Sequence, residues 1–166
     1  MRMKTAPAFE QKICAPSEFA ARAAALPRPL VFTNGVFDLL HRGHVTYLAQ
    51  ARALGASLVV GVNSDASAKR LGKGDGRPVT AAADRMAVLA ALESVSLVTP
   101  FDDDTPLGLI LACRPDVLVK GGDWAPELIV GAAEVRGWGG TVRSIRFEHE
   151  HSTTALLERI RRWPRA

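Results

Sequence analysis

The chain is poor in cysteine, in aromatic residues and in long apolar runs, and each scarcity closes off a class of protein. Its two cysteines, Cys14 and Cys113, stand far apart with no CxxC or metal-type spacing, so a disulfide scaffold is not expected and both read as free thiols in a reducing compartment. No apolar run reaches the ~18 residues of a membrane span, and the opening MRMKTAPAFEQK has no apolar stretch of the secretory kind. A cytoplasmic protein without a membrane partner is expected. Aromatics make up 6% of the residues, and no basic stripe is interleaved with them, which argues against nucleic acid as a partner. A Walker A element, GxxxxGK[ST], is absent as well.

What is present is ordinary for a folded domain. The 166 residues suffice for one domain, and a hydrophobic share of 48% with 23% charged is enough to bury a core. The net charge of +4 sits at the ends. Residues 1–29 carry five basic and two acidic side chains, and residues 154–166 carry four arginines against Glu158 alone, leaving a body with twelve basic and fourteen acidic residues. Arginines at the tail of a last helix complement its dipole.

Residues 1–29 read as an N-terminal extension with a short helix from Ser17, its N-cap, to Ala25, closed by Pro27 and Pro29. From Leu30 short apolar runs alternate with helical ones. LVFT, a helix from about His44 to Leu54 ended by Gly55, and SLVVGVN form a βαβ unit. Then come a helix over about 81–92, a strand SLVT, a helix over 106–113, a strand DVLVK, a helix near 127–135, a strand TVRSI and a final helix over about 153–162. Mostly apolar strands separated by amphipathic helices predict an α/β fold whose parallel sheet is covered on both faces. Ligands of such sheets bind beyond the carboxyl ends of the strands.

The stretch between the first strand and its helix is Thr33-Asn34-Gly35-Val36-Phe37-Asp38-Leu39-Leu40-His41-Arg42-Gly43-His44. Asn34 and Gly35 permit a tight turn with backbone N–H groups facing an anion, and the helix N-terminus adds its positive end. His41 and His44, three apart around Gly43, can both donate to phosphoryl oxygens. Further on, Lys73 lies in the glycine-rich loop GKGDG. Arg85 reaches either a phosphate or a surface carboxylate. Lys120-Gly121-Gly122-Asp123-Trp124 follows a strand, so that Lys120 offers a phosphate contact and Asp123 a hydroxyl acceptor, unless the run is only a turn with a capping Asp and a packing Trp. Ser152, Thr153 and Thr154 open the last helix, as caps, as anion ligands, or both. Asp102, Asp103 and Asp104 precede Thr105-Pro106, an N-cap and N1 proline, and read as helix-start charges rather than metal ligands.

GVFDLLHRGH resembles the GxFDxxHxGH signature of the nucleotidylyltransferase superfamily, and His151-Ser152-Thr153-Thr154 resembles its STT element. The resemblance runs from about Leu30 to Arg162 and implies a Rossmann-like, doubly wound sheet of about five strands. Within that superfamily KGDGRPVT, ADRMAVLAALESV, FDDDTP and LVKGGDW are similar to the branch that adenylylates D-glycero-β-D-manno-heptose 1-phosphate. The resemblance implies transfer of AMP from ATP to the sugar 1-phosphate, yielding ADP-heptose and pyrophosphate for the lipopolysaccharide core, and a homodimeric state; in some bacteria the domain is fused to a sugar kinase, and the length of this chain leads to the expectation that a separate kinase supplies the substrate. It also implies roles for residues. His41, His44 and Lys73 are catalytic; Thr33, Asn34, Gly35, Val36, Phe37, Asp38, Arg85, Lys120, Gly121, Asp123, Ser152, Thr153 and Thr154 bind nucleotide; Lys120, Asp123 and Trp124 contact the second substrate. Mg²⁺ accompanies the triphosphate with no dedicated protein site, Asp38 being either a ligand or an orienting residue. Related cytidylyltransferases carry Arg-Thr-Glu-Gly before STT, whereas this chain has Phe147-Glu148-His149-Glu150-His151, which argues against cytidine. Two rivals remain at this point: a cytidylyltransferase acting on glycerol 3-phosphate or a related alcohol phosphate, and a zinc-binding or regulatory module built on the pairs His41/His44 and His149/His151.

Overall fold

A computed structural model describes residues 6–72, 76–148 and 153–163. Five strands, β1 (Leu30–Gly35), β2 (Ser57–Asn63), β3 (Leu97–Phe101), β4 (Val117–Gly121) and β5 (Thr141–Ile145), form one sheet in the order β3-β2-β1-β4-β5. Every pairing is parallel, as the apolar runs predict. The helices are α1 (Phe19–Ala24), α2 (Arg42–Arg52), α3 (Asp65–Arg70), α4 (Ala82–Ala90), α5 (Leu107–Cys113), α6 (Ala132–Gly137) and α7 (Thr153–Arg161).

Alternation along the strands divides the core. Leu30, Phe32, Val59, Leu97 and Leu118 point to one face, under α1, α5 and α6, with Phe19, Ile110 and Val135. Val31, Leu58, Val60, Val98 and Val119 point to the other, with Leu48 and Ala51 of α2 and Leu89 and Ala90 of α4. A sheet apolar on both faces is stable only when both are covered. The residues before Leu30 join this core: Cys14, Phe19 and Ala23 are buried in it, the Cys14 amide donates to the Val98 carbonyl (2.9 Å), and Ile13 bridges to Val98. Both cysteines are free and buried, and burial pushes the Cys113 thiol up to about 12.

Several expected boundaries move. The helix over 127–135 is broken: Pro126–Leu128 makes a single 3-10 turn, and Gly131, at φ 86, turns the chain before α6 begins at Ala132. α3 was not expected at all; Ser64 caps it by accepting from the Ser67 amide (3.0 Å). α5 starts at Leu107 with Pro106 as N-cap, so Thr105 is not the cap. Asp102 and Asp104 are not helix-start charges but ties to α3: Asp104 pairs with Arg70 (2.8 Å) and Asp102 accepts from the Ser64 hydroxyl.

β1 and β4 are registered only at Val31↔Val117 and Phe32↔Leu118, whereas β1 and β2 run together from Leu30↔Ser57 to Gly35↔Val62. Beyond Phe32 and Leu118 the two central strands part. The order of the sheet reverses there, and the parting opens the ligand cleft.

Candidate active site

The cleft has a volume of ≈ 860 Å³ and is lined by the ends of β1, β2 and β4, the loop after β1, the loop before α4 and the start of α7. Asn34 and Gly35, expected to form a tight turn, are instead the last residues of β1. The bend follows them, with Phe37 at φ 51 and Leu39 at φ 52. Left-handed backbone costs a non-glycine residue ~1–2 kcal/mol, so something must hold it. Asp38, between the two, does so. Its carboxylate accepts from the Val79 amide (2.9 Å), the Thr80 amide (3.1 Å) and the Thr80 hydroxyl (2.9 Å), and its carbonyl accepts from the Thr153 hydroxyl (2.6 Å). Burial opposes its ionisation, yet these donors and the charge of Arg77 hold its carboxyl below the ordinary range. The carboxylate thus orients the bend.

This bend delivers the histidines. His41 is the N-cap residue of α2 and His44 sits in its first turn; their rings lie 3.9 Å apart, tilted by 30°, and both line the cleft. Phe37 meets the His44 ring edge-on at 5.6 Å and Phe147 at 6.5 Å. Across the split Lys120 lines the cleft, its ammonium donating to the Asn34 side-chain oxygen (3.3 Å). Gly121 admits no side chain, because a Cβ there would lie 2.7 Å from Phe147 and 3.2 Å from Tyr47. Trp124 stands half exposed at the rim, its indole N–H donating to the Gly121 carbonyl (3.2 Å).

Of the residues expected in the site, Asn34, Gly35, Val36, Phe37, Asp38, His41, His44, Lys120, Gly121, Trp124, Thr153 and Thr154 come together around this one cleft. Lys73 and Ser152, like His149 and His151, lie outside the described residues. Three expected residues lie outside the cleft lining. Thr33 is fully buried, its hydroxyl on the Tyr47 phenol (2.5 Å), and does not line the cleft. Arg85 is also buried, with all its nitrogens committed: to the carbonyls of Thr80 (3.0 Å), Val36 (2.5 Å) and Asn63 (2.9 Å) and to the Asp65 carboxylate (2.7 Å). It braces the loops around the cleft and is not among the residues that line it. Asp123 faces solvent, paired with Arg146 (3.0 Å), and is neither cap nor cleft residue.

Arg77 is the residue that sequence reading missed. It lines the cleft from the loop before α4 and donates to the Thr154 hydroxyl (3.1 Å). Among the described residues it makes no salt bridge, unlike Arg28, Arg70, Arg85 and Arg146. Its signal was the Arg-Pro pair beyond the glycine-rich loop, overshadowed by Lys73.

A parallel sheet whose switch point opens on two imidazoles, a lysine and an arginine is built to grip phosphates, and defines the class of nucleotidyl-transferring enzymes. The chain belongs to the cytidylyltransferase-like family, whose model matches residues 32–160. It is 57% identical over 155 residues to D-beta-D-heptose 1-phosphate adenylyltransferase of Bordetella bronchiseptica, covering 92% of this chain and 96% of that one. With Bifunctional protein HldE of Pseudomonas paraeruginosa it shares 55% identity over 139 residues, which span 84% of this chain but 29% of the relative. Among solved structures it is similar to the lipopolysaccharide core biosynthesis protein of Thermoplasma volcanium, with a TM-score of 0.59 at 28% identity, covering 74% of this chain and 98% of that one. Pantoate-beta-alanine ligase of Francisella tularensis shares the fold alone, with a TM-score of 0.60 at 11% identity over 83% of this chain and 67% of that one.

Proposed function

We propose that this chain transfers AMP from ATP to D-glycero-β-D-manno-heptose 1-phosphate, releasing pyrophosphate and yielding ADP-heptose for lipopolysaccharide core synthesis. The observation that carries the reading is the 57% identity with a heptose 1-phosphate adenylyltransferase along nearly the full length of both chains. The cleft supplies what the reaction needs. A phosphate monoester, with its second pKa near ~6, is largely a dianion at neutral pH and attacks without a general base. One of its oxygens forms a bond to the α-phosphorus of ATP while the bond from that phosphorus to the bridging oxygen breaks, and the charge leaves with pyrophosphate. The protein's work is to align two anions and stabilise the departing one. His41 and His44 face the triphosphate from α2, Lys120 from the opposite side of the split, and Arg77 from the loop before α4.

Mg²⁺ enters with ATP as part of the substrate. It is held mainly by the phosphates. The same reading places the enzyme in the cytoplasm, where its nucleotide substrate is.

The test follows pyrophosphate release with ATP or CTP against a panel of sugar 1-phosphates and glycerol 3-phosphate. Turnover with ATP and heptose 1-phosphate is the expected result. A preference for CTP with glycerol 3-phosphate overturns it.

A further inference from the structure

Tyr47 belongs to no motif, lies within α2 and is 3% exposed, which makes it look like one more core residue. Its hydroxyl is placed where the sheet comes apart. The β1–β4 pairing ends at Phe32 and Leu118, and the next residue of β1, Thr33, turns its hydroxyl to the Tyr47 oxygen at 2.5 Å. From β4, Gly121 lies against the Tyr47 ring, where a Cβ would come within 3.2 Å of it. One side chain thus ties α2 to β1 through its hydroxyl and packs against β4 with its ring at the floor of the cleft. The residues beside its partners form the walls: Asn34 follows Thr33, Lys120 precedes Gly121, and His44 lies one turn before Tyr47 on the same helix. The ring itself is held by Phe147, 5.5 Å away, and by the absence of a side chain at Gly121.

We propose that Tyr47 is a positioning residue that sets the separation between His44 on α2 and Lys120 on β4, and so aligns the groups that face the triphosphate. It touches no reacting atom. Burial pushes its phenol pKa up, against the smaller opposing effects of Thr33 and Gly121, so the group stays protonated at neutral pH and acts through its hydrogen bonds rather than by proton transfer. Loosening the floor leaves the individual cations available to ground-state ATP while disturbing their joint aim at the transition state, where small misplacements are amplified.

The inference rests on the adenylyltransferase reading, and its test keeps the two apart. Pyrophosphate formation is followed with ATP and heptose 1-phosphate for the parent, Tyr47→Phe, Thr33→Val, Thr33→Ser and the Tyr47→Phe/Thr33→Val double variant, each well below its own Tm. Tyr47→Phe is expected to lower kcat roughly tenfold while the KM for ATP stays within about twofold. Thr33→Val loses a similar factor, the double variant loses no more than the worse single one, and Thr33→Ser, which keeps the hydroxyl, behaves as the parent. A purely structural role moves Tm but not the kcat of the folded enzyme. A folded Tyr47→Phe with kcat within twofold of the parent, or losses that multiply in the double variant, refutes the proposal. Should Tyr47→Phe not fold, the contrast between Thr33→Val and Thr33→Ser decides. An inactive parent refutes the functional reading instead.

Discussion

The Arg77 guanidinium donates to the Thr154 hydroxyl at 3.1 Å, joining the loop before α4 to the first turn of α7 across the mouth of the cleft. A neutral hydroxyl is a weaker partner for arginine than a phosphoryl oxygen, whose hydrogen bonds are charge-assisted. Arg77→Ala is therefore expected to lower kcat/KM for ATP by about 10², and Arg77→Lys to recover only part of it, because a point charge does not reproduce the planar fork. Steady-state kinetics with ATP varied checks this; an Arg77→Ala enzyme with parental kcat/KM removes Arg77 from the site.

His44 should be felt mainly in the chemical step. Its ring faces the cleft beside His41, and loss of one donor that strengthens as charge moves to the leaving group typically costs ~10²–10³ in rate. His44→Ala is expected to show that loss in kcat with an unchanged circular dichroism spectrum. Activity within a few-fold of the parent in a folded variant would take His44 out of the mechanism.

Asp38 links catalysis to acid stability. Because its native pKa lies below the ordinary value, the unfolded chain takes up the proton more readily than the native one. Its stabilisation is complete above the unfolded pKa of about 3.9 and fades as pH falls from there through the native pKa. Asp38→Asn is expected to cost about 2 kcal/mol at pH 7 and to flatten the Tm profile below about pH 4. Asp116, held low despite burial by the Leu30 amide and Arg28, preserves part of the acid sensitivity. A mutant whose acid limb parallels the parent's shows that the clamp contributes nothing there.

For Arg85 the expected phenotype is loss of fold rather than loss of nucleotide affinity. Its side chain is 1% exposed and satisfies three carbonyls and a carboxylate. Arg85→Met strands those acceptors and should destabilise by roughly 3 kcal/mol or more, and Arg85→Lys cannot serve four acceptors from one ammonium. Urea denaturation measures this. A variant with full stability but a raised KM for ATP would restore the phosphate role.

How far the sequence reveals these roles depends on whether the relevant physics is local. The strand TVRSI coincides with β5, and LVFT falls within β1, because alternation and flanking turn residues are written in the chain itself. The imidazole pair was legible for the same reason. α3 was missed since its six residues are fewer than two turns, too short for periodicity to register, and Gly131 breaks the helix near 127–135 through a left-handed φ that composition does not reveal. The burial of Arg85 and Thr33 was not legible because burial is a property of tertiary packing: nothing adjacent to Arg85 in sequence announces that Val36, Asn63 and Asp65 will surround it. Lys73 lies outside the described residues, and Arg77, four residues on, lines the cleft without any motif to announce it.

The narrow registration of β1 on β4 makes the sheet two stiff plates, β3-β2-β1 and β4-β5, welded along a seam two residues long. A nucleotide whose phosphates are held by groups from both plates is itself a cross-member of the frame. On the proposed reading, substrate capture and alignment of the plates are a single event, and residues at the seam tune turnover without meeting the molecule being turned over.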